Sequence, residues 1–373
     1  MRIAFLCKRR YTGKDVIGDR FGRLHEIPLQ LAFLGHEVKG FCLDYHHQSY
    51  ESVTYDVEPG HMSWESRSLG RTRLSGIFSY PRQLLHRVHS YCPEILLGAS
   101  DIPHAVLTAW LSKRLGVPYA LDLYDNFESF GQALIPGAVS VFRKAVRDAQ
   151  LVITVSDPLR NWIQSKYSLA GEVHVMPNAV DKKLFKAGNR MDARLQLKLP
   201  LNAELIGTAG GLYRSKGVAE LYAAWPTIAA KRPDAHLVLA GPQESSLALP
   251  KDERVHYLGN LTHPQVADLF SALNVGVVTV SDSNFGRFCF PQKAYEMMAC
   301  GLPLVAANVG VMSGLLENFP KLLYVPSDAE SLVNAAIYQL DAQVKVQPYI
   351  KDWAELVAEL EPKLVTLQNK FVP

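Results

Sequence analysis

The chain has 373 residues, 48% of them hydrophobic and 20% charged, with 39 Lys+Arg against 36 Asp+Glu for a formal net charge of +3. At roughly 150 residues per domain this is a two-domain globular protein, and the composition excludes wholesale disorder. No apolar run of about 18 residues is present, so no membrane-spanning helix is expected. The apolar stretch Ile3–Cys7 is of strand length and too short for a secretory leader core, which makes a cytoplasmic protein the default expectation. The basic excess falls in residues 1–180, and no acid occurs from Ser66 to Pro93, a window that holds Arg67, Arg71, Arg73, Arg82 and Arg87. No nucleic-acid recognition motif accompanies this basicity, and no nucleic-acid partner is expected. The five cysteines (Cys7, Cys42, Cys92, Cys289, Cys300) form no CxxC, and the adjacent His46 and His47 have no ligand spacing around them, so no metal is expected.

In chain order, Ile3–Cys7 reads as a strand, followed by a polar, glycine-containing stretch to Asp19. Leu24, Ile27, Leu31 and Leu34 have helical spacing and end at Gly35, and Glu37–Phe41 is a second strand. The segment Gln48–Ser79 breaks the rhythm as an inserted hairpin or irregular loop. Strands follow at Ile95–Leu97, Tyr119–Leu123, Leu151–Thr154 and Val173–Met176, with helices at Ala105–Leu115, Val139–Ala149 and Leu159–Lys166. Ser156-Asp157-Pro158 is a helix start. Strands alternating with helices imply a parallel sheet covered on both faces.

The rhythm restarts in the second half. Strands are expected at Glu204–Thr208, His236–Ala240, Val255–Leu258, Gly276–Val280, Leu304–Ala306 and Leu322–Val325. Helices are expected at Val218–Ala230, Pro264–Ala272, Lys293–Ala299 and Glu330–Leu340. Pro177-Asn178 is a turn signal, and Lys182–Leu199 lacks a clear period. Three segments are therefore expected: a domain over 1–182, a second over 183–349, and an amphipathic tail over 350–373 that packs on its own domain or back on the first. Both domains are α/β, Rossmann-like and doubly wound, and a substrate is expected in the cleft between two such facing sheets.

Gly207–Gly217 is the sharpest local feature. Gly210 and Gly211 let backbone approach a ligand, while Arg214 and Lys216 bring cations to the same bend before a helix. The alternative is a glycine-rich turn with exposed basic residues. Neither a Walker loop nor GxGxxG occurs, which argues against a nicotinamide or flavin cofactor. Lys293 and Glu296 share a helix face: the glutamate suits ribose hydroxyls and the lysine a phosphate, or the two pair with each other. Asp122, Asp125 and Glu128 follow a strand end, where a carboxylate orients a sugar or an attacking hydroxyl, or caps a helix. The opening loop crowds Lys8, Arg9, Arg10 and Lys14 around Gly13. Asp101 and His104 flank another strand end, with His104 a cap, a surface residue or an acceptor contact.

These motifs together resemble the retaining, two-Rossmann-domain (GT-B) glycosyltransferases of the nucleotide-sugar group, family 4. Pro177-Asn178-Ala179-Val180-Asp181 resembles the family's PNGVD linker. Gly210–Gly217 resembles its donor phosphate loop, and Pro291-x-Lys293-x-x-Glu296 through Gly301-x-Pro303 its ribose helix. The resemblance implies a nucleotide-diphosphate sugar as donor substrate, no cofactor, no metal, and transfer with retention to a hydroxyl of a glycan or lipid-linked acceptor in cell-envelope synthesis. It implies donor contacts from Gly210, Gly211, Lys293, Glu296, Arg287 and Phe288, with Glu296 holding the ribose and Lys216 neutralising the leaving diphosphate. Arg214 and Asp125 complete the catalytic set, and Arg10, Gly13, Tyr124 and His104 the acceptor side. The pattern departs from the family at three places. Gly210 and Gly211 stand where an arginine is usual, Phe288 where a donor-sugar glutamate is usual, and Tyr124 near a usual histidine. Arg214 or a cation of the opening loop is the expected substitute for the arginine, and Arg287 or a backbone group for the glutamate. The alternatives are a catalytically silent nucleotide- or sugar-binding protein and a nucleotide-sugar epimerase. The basic segment with Tyr80, Leu84, Leu85 and Val88 interleaved with Arg82 and Arg87 is either a solvated loop and helix or an amphipathic helix that contacts an anionic membrane peripherally, at its inner face.

Overall fold

The computed structural model describes residues 1–11, 13–45, 50–70 and 73–371. His46, His47 and Arg71, singled out above, lie outside the described residues, as does the side chain of Arg73. The chain forms two compact units, one of residues 1–178 with the C-terminal helix Trp353–Phe371, the other Ala179–Asp352.

The first unit is built on strands β1 (Arg2–Lys8), β4 (Glu37–Asp44), β5 (Glu51–Tyr55), β6 (His61–Ser68), β7 (Ile95–Ala99), β8 (Tyr119–Leu123), β9 (Leu151–Thr154) and β10 (Glu172–Val175). A small hairpin of β2 (Arg10–Tyr11) and β3 (Lys14–Asp15) follows β1. The large sheet has the order β10-β9-β8-β7-β1-β4-β6-β5. All neighbours are parallel except the edge pair β5–β6, the inserted hairpin within Gln48–Ser79. Ile3–Cys7 is wholly buried, as a central parallel strand covered on both faces must be. Helix Ile102–Leu115 starts where Asp101 accepts the His104 N–H at 3.0 Å, and Ser156 caps helix Asp157–Lys166 through the Leu159 N–H.

The C-terminal helix packs on helix Arg23–Phe33. Leu356, Val357, Leu360 and Leu364 are fully buried, each contributing about 1.5–3 kcal/mol by leaving water. Glu361 meets His36 at 3.0 Å, and Lys363 pairs with Glu172.

The second unit holds β11 (Glu204–Ala209), β12 (Ala235–Ala240), β13 (Val255–Tyr257), β14 (Val275–Val278), β15 (Leu304–Ala307) and β16 (Leu323–Tyr324). They form one parallel sheet in the order β13-β12-β11-β14-β15-β16. The chain winds outward from β11 in one direction, then returns and winds in the other from β14, so the switch point lies between β11 and β14. Helix Arg190–Gln196 lies in the segment read as aperiodic. It is held by its Asn189 cap and by buried Arg194, which donates to the carbonyls of Ala272 and Leu201 and to Asn274 Oδ1.

Candidate donor site and family membership

In the second unit a cavity of about 420 Å³ opens at the carboxyl ends of β11, β12 and β14. The chain leaves β11 at Gly210, whose φ of +112° suits glycine. Gly241, leaving β12, packs against it: a Cβ there would stand 2.1 Å from the Gly210 carbonyl oxygen. The loop then makes a short 3₁₀ turn, Arg214–Lys216, and Gly217 enters helix Val218–Lys231 from the left-handed region at φ +76°. Ser281 fastens this loop to the end of β14 by donating to the Ser215 carbonyl at 3.0 Å.

Two cations and one carboxylate converge on this cavity. Lys216 lies over the Phe285 ring, its Nζ 3.7 Å from the centroid. Lys293 and Glu296 come from helix Gln292–Ala299, one turn apart. The Lys293 ammonium is pushed down to about 8 by burial and by the charge of Lys216. The Glu296 carboxyl is pushed up to about 7 by burial, against the opposing effects of Gln292 and Lys293. Lys293 and Glu296 do not close into an ion pair. Glu296 instead accepts from Gln292 Nε2 at 3.2 Å, and the same amide donates to the Ala179 carbonyl at 3.0 Å. Two neighbouring ammonium groups whose charges disfavour each other are the arrangement a dianion relieves. Phe185, Leu261, Val266 and Phe270 give the cavity an apolar wall suited to a flat ring.

Gly210, Gly211, Lys216, Lys293 and Glu296 thus share one cavity, whereas three other expected donor-side residues lie outside its lining. Arg214 is exposed, and its backbone N–H is tied to Glu244 Oε2 at 2.8 Å. Two residues before Lys216 on a 3₁₀ turn, it leaves in a different direction. Arg287 is exposed and spent on Asp282, at 2.5 and 3.0 Å. Phe288 is half-buried, its N–H on the Phe285 carbonyl at 3.2 Å. Thr279, Phe285 and Gln292 line the cavity without having been expected. Thr279 directly follows β14 and carries a buried hydroxyl that has no hydrogen-bond partner among the described residues. Its position straight after a strand of the switch point was the available signal; nothing in the sequence marks Gln292.

The expected acceptor-side residues gather at the carboxyl ends of β1, β7 and β8 in the first unit. Asp125 accepts the Asn126 N–H at 2.9 Å. Tyr124 donates to the Ser100 carbonyl at 2.8 Å, and its ring meets Tyr11 edge-on at 5.0 Å. Gly13 turns the β2–β3 hairpin at φ +81°, and Arg10 is exposed on β2. Crowding in the opening loop is relieved by carboxylates, since Arg9 meets Asp15 at 2.8 Å and Glu51 at 2.5 Å. His104 is fully buried with Nδ1 2.5 Å from Asp101 Oδ1, so it orders its own turn and does not meet solvent. Burial alone would raise the Asp101 carboxyl, but the charge and hydrogen bonds of His104 hold it at about 2.

The helix expected to lie on lipid is Arg73–Tyr91. Its stripe of Tyr80, Leu84 and Val88 is buried in the unit's own core, and Leu85 is half-buried. Arg87 is largely covered and paired with Glu65 at 2.7 Å. That stripe is therefore committed to packing and unavailable to a membrane.

Comparison with known proteins places the molecule. The fold resembles sucrose-phosphate synthase of Thermosynechococcus elongatus (TM-score 0.73, 21% identity, 98% of both chains). It also resembles Anabaena Alr3699/HepE in complex with UDP (TM-score 0.67, 20% identity, 99% of this chain and 98% of that one). The putative teichuronic acid biosynthesis glycosyltransferase TuaC of Bacillus subtilis (strain 168) is 25% identical over 75% of this chain and 68% of that protein. For further curated relatives the chain aligns with 34–57% of their own length. The molecule is thus a glycosyltransferase of the GT-B fold class, with two parallel-sheet α/β units. The model for Glycosyltransferase Family 4 matches residues 24–184 and that for Glycosyl transferases group 1 residues 203–342, about four fifths of the chain together. The chain belongs to this family of group 1, family 4 glycosyltransferases.

Proposed function

We propose that the second unit binds a uridine-diphosphate sugar and that the enzyme moves its sugar, with retention of anomeric configuration, to a hydroxyl of an envelope glycan or lipid-linked acceptor. The observation that carries the reading is the convergence of Lys216, Lys293 and Glu296 on one cavity at the switch point of a parallel sheet. Two cations suit a diphosphate, and a carboxylate one helical turn away suits the adjacent ribose diol. The UDP in HepE supports uracil as the base, and the teichuronic acid relative supports an envelope polysaccharide. Neither silent binding nor epimerisation is favoured by these likenesses.

As the glycosidic bond to phosphate breaks, negative charge accumulates on the leaving diphosphate, and the ammonium groups of Lys216 and Lys293 stabilise it most where the charge is greatest. The acceptor oxygen forms the new bond to the anomeric carbon, and its proton passes to the departing phosphate. We assign the acceptor side to the first unit, with Asp125 and Tyr124 as contacts, Arg10 and Gly13 in the loop above β1, and His104 as a positioning residue.

Calorimetry with UDP, GDP, ADP, CMP and dTDP tests the donor. UDP is expected to bind most tightly, and a different preferred diphosphate would overturn the base assignment. Glu296→Gln is expected to weaken UDP binding by about 1–3 kcal/mol, the cost of losing a charged acceptor from buried hydrogen bonds. Unchanged binding would remove the ribose role.

The two displaced ionisations set a pH dependence. Glu296 must be ionised to accept two hydroxyl donors, so affinity rises with pH through about 7. Lys293 must be protonated to meet phosphate, so affinity falls with pH above about 8. UDP affinity measured against pH is therefore expected to peak between the two. Lys293→Arg should remove the alkaline decline, because a guanidinium stays charged there.

A further inference from the structure

We propose that one face of the first unit, distinct from the buried stripe of helix Arg73–Tyr91, docks on an anionic lipid bilayer. Five large apolar side chains stand at least half exposed in two segments: Phe78 (80%) and Ile77 (53%), and Leu134 (85%), Ile135 (58%) and Val141 (50%). The first two lie in the second turn of helix Arg73–Tyr91. The others lie on the short 3₁₀ turn Gly131–Leu134, just after it, and in the first turns of helix Ala138–Asp148.

Topology brings these segments to one edge. Helices Arg73–Tyr91, Ile102–Leu115 and Ala138–Asp148 are the crossovers β6→β7, β7→β8 and β8→β9, which step in the same direction along the sheet. Right-handed crossovers stepping one way lie on one face, and each helix starts from the carboxyl edge. Helix Ile102–Leu115 touches both of the others. Burying so many exposed apolar groups needs a partner, and scattered single residues would not.

Charge selects the partner. Neither residues 66–93 nor residues 129–147 contain an aspartate or glutamate, whereas Arg82, Lys144 and Arg147 are exposed there. Arg143, nearest the apolar tip, already has Glu128 at 2.6 Å. Exposed apolar side chains on segments that carry exposed cations and no acidic residue of their own fit the boundary between anionic headgroups and acyl chains. A second copy of the same face fits poorly, since a two-fold contact would set these cations against each other. The sequence pointed to the same acid-free window but to the wrong side of its helix. Periodicity marks an apolar stripe without telling whether the sheet has claimed it.

The test is co-sedimentation of the full chain with phosphatidylcholine vesicles, with and without about a third phosphatidylglycerol. Binding is expected to be at least about tenfold stronger on the anionic vesicles and to weaken in high salt. The double substitution L134S/I135S, and separately Phe78→Ser, should lower binding about tenfold, and Arg82→Glu with Lys144→Glu should abolish the preference for anionic lipid. These positions are exposed, so each variant should keep the wild-type melting temperature and UDP affinity, which separates this proposal from the donor assignment. Equal binding to both vesicles, no binding to either, or partition unchanged by L134S/I135S would overturn it. So would a concentration-dependent dimer in sedimentation velocity that L134S/I135S dissolves.

Discussion

Lys216→Ala is expected to slow sugar transfer by at least about 100-fold while changing UDP affinity by less than about tenfold. The asymmetry follows from where charge appears. In the proposed donor complex the ground-state diphosphate charge is shared with Lys293, which lines the same cavity. As the bond to the sugar breaks, the added charge falls on the leaving oxygen, and a fixed cation in a water-poor site is worth about 3–4 kcal/mol there. Lys216 is well fixed. Gly217 and the Ser281–Ser215 hydrogen bond hold its loop, and the Phe285 ring supports its ammonium. Single-turnover rates and calorimetry on the same variant separate the terms. A loss of affinity with the rate of the bound complex intact would make Lys216 a ground-state binding residue only. Lys216→Met adds an independent readout, because removing the neighbouring charge should raise the Lys293 ionisation above about 8.

Arg23→Ala is expected to destabilise the first unit by about 3–5 kcal/mol, close to the whole margin of many domains. Arg23 and Asp122 are both fully buried. Arg23 Nε reaches the two carboxylate oxygens at 2.9 and 2.7 Å, and Nη2 adds a bond of 2.7 Å. Its Nη1 donates to the carbonyls of Met176 and Pro177 at 2.7 and 3.2 Å. One guanidinium therefore ties helix Arg23–Phe33 to the end of β8 and to the segment that follows β10. Truncating it strands a buried carboxylate and at least two carbonyls, whereas the apolar pair R23M/D122L removes both charges and should recover much of the loss. Urea unfolding checks this, and a change under about 1 kcal/mol would refute it. UDP affinity at low denaturant should survive, because the donor cavity lies wholly in the second unit.

These two residues mark what a linear sequence reveals. Lys216 was legible because its surroundings are local: a strand ends, glycines open the backbone, a cation follows, and a helix begins. Glu296 was legible because its helix is short and sharply bounded by Pro291 and Gly301. Arg23 was not, because a buried arginine looks like any surface arginine until the chain has brought a carboxylate 99 positions away beside it. The same holds for Arg87 and Arg287, which read as available cations until Glu65 and Asp282 are seen to claim them. Helix Arg190–Gln196 escaped detection because it buries an alanine and an arginine, leaving no apolar period to count. Strand positions fared best, since wholly apolar runs bounded by glycine and proline carry their own boundaries.

The C-terminal helix belongs to the unit that the N-terminus begins, and the whole of the second unit lies between them in the chain. Synthesis therefore cannot finish what it starts first. The second unit has all its residues once Asp352 has been made. The sheet of the first unit must meanwhile wait with the groove for Leu356, Val357, Leu360 and Leu364 uncovered. On a ribosome adding about 5–20 residues per second, the N-terminal half spends about 10–40 seconds as an incomplete body that helix Trp353–Phe371 has yet to close. A frameshift or early stop just after Asp352 would consequently injure the part of the molecule made first and spare the second unit.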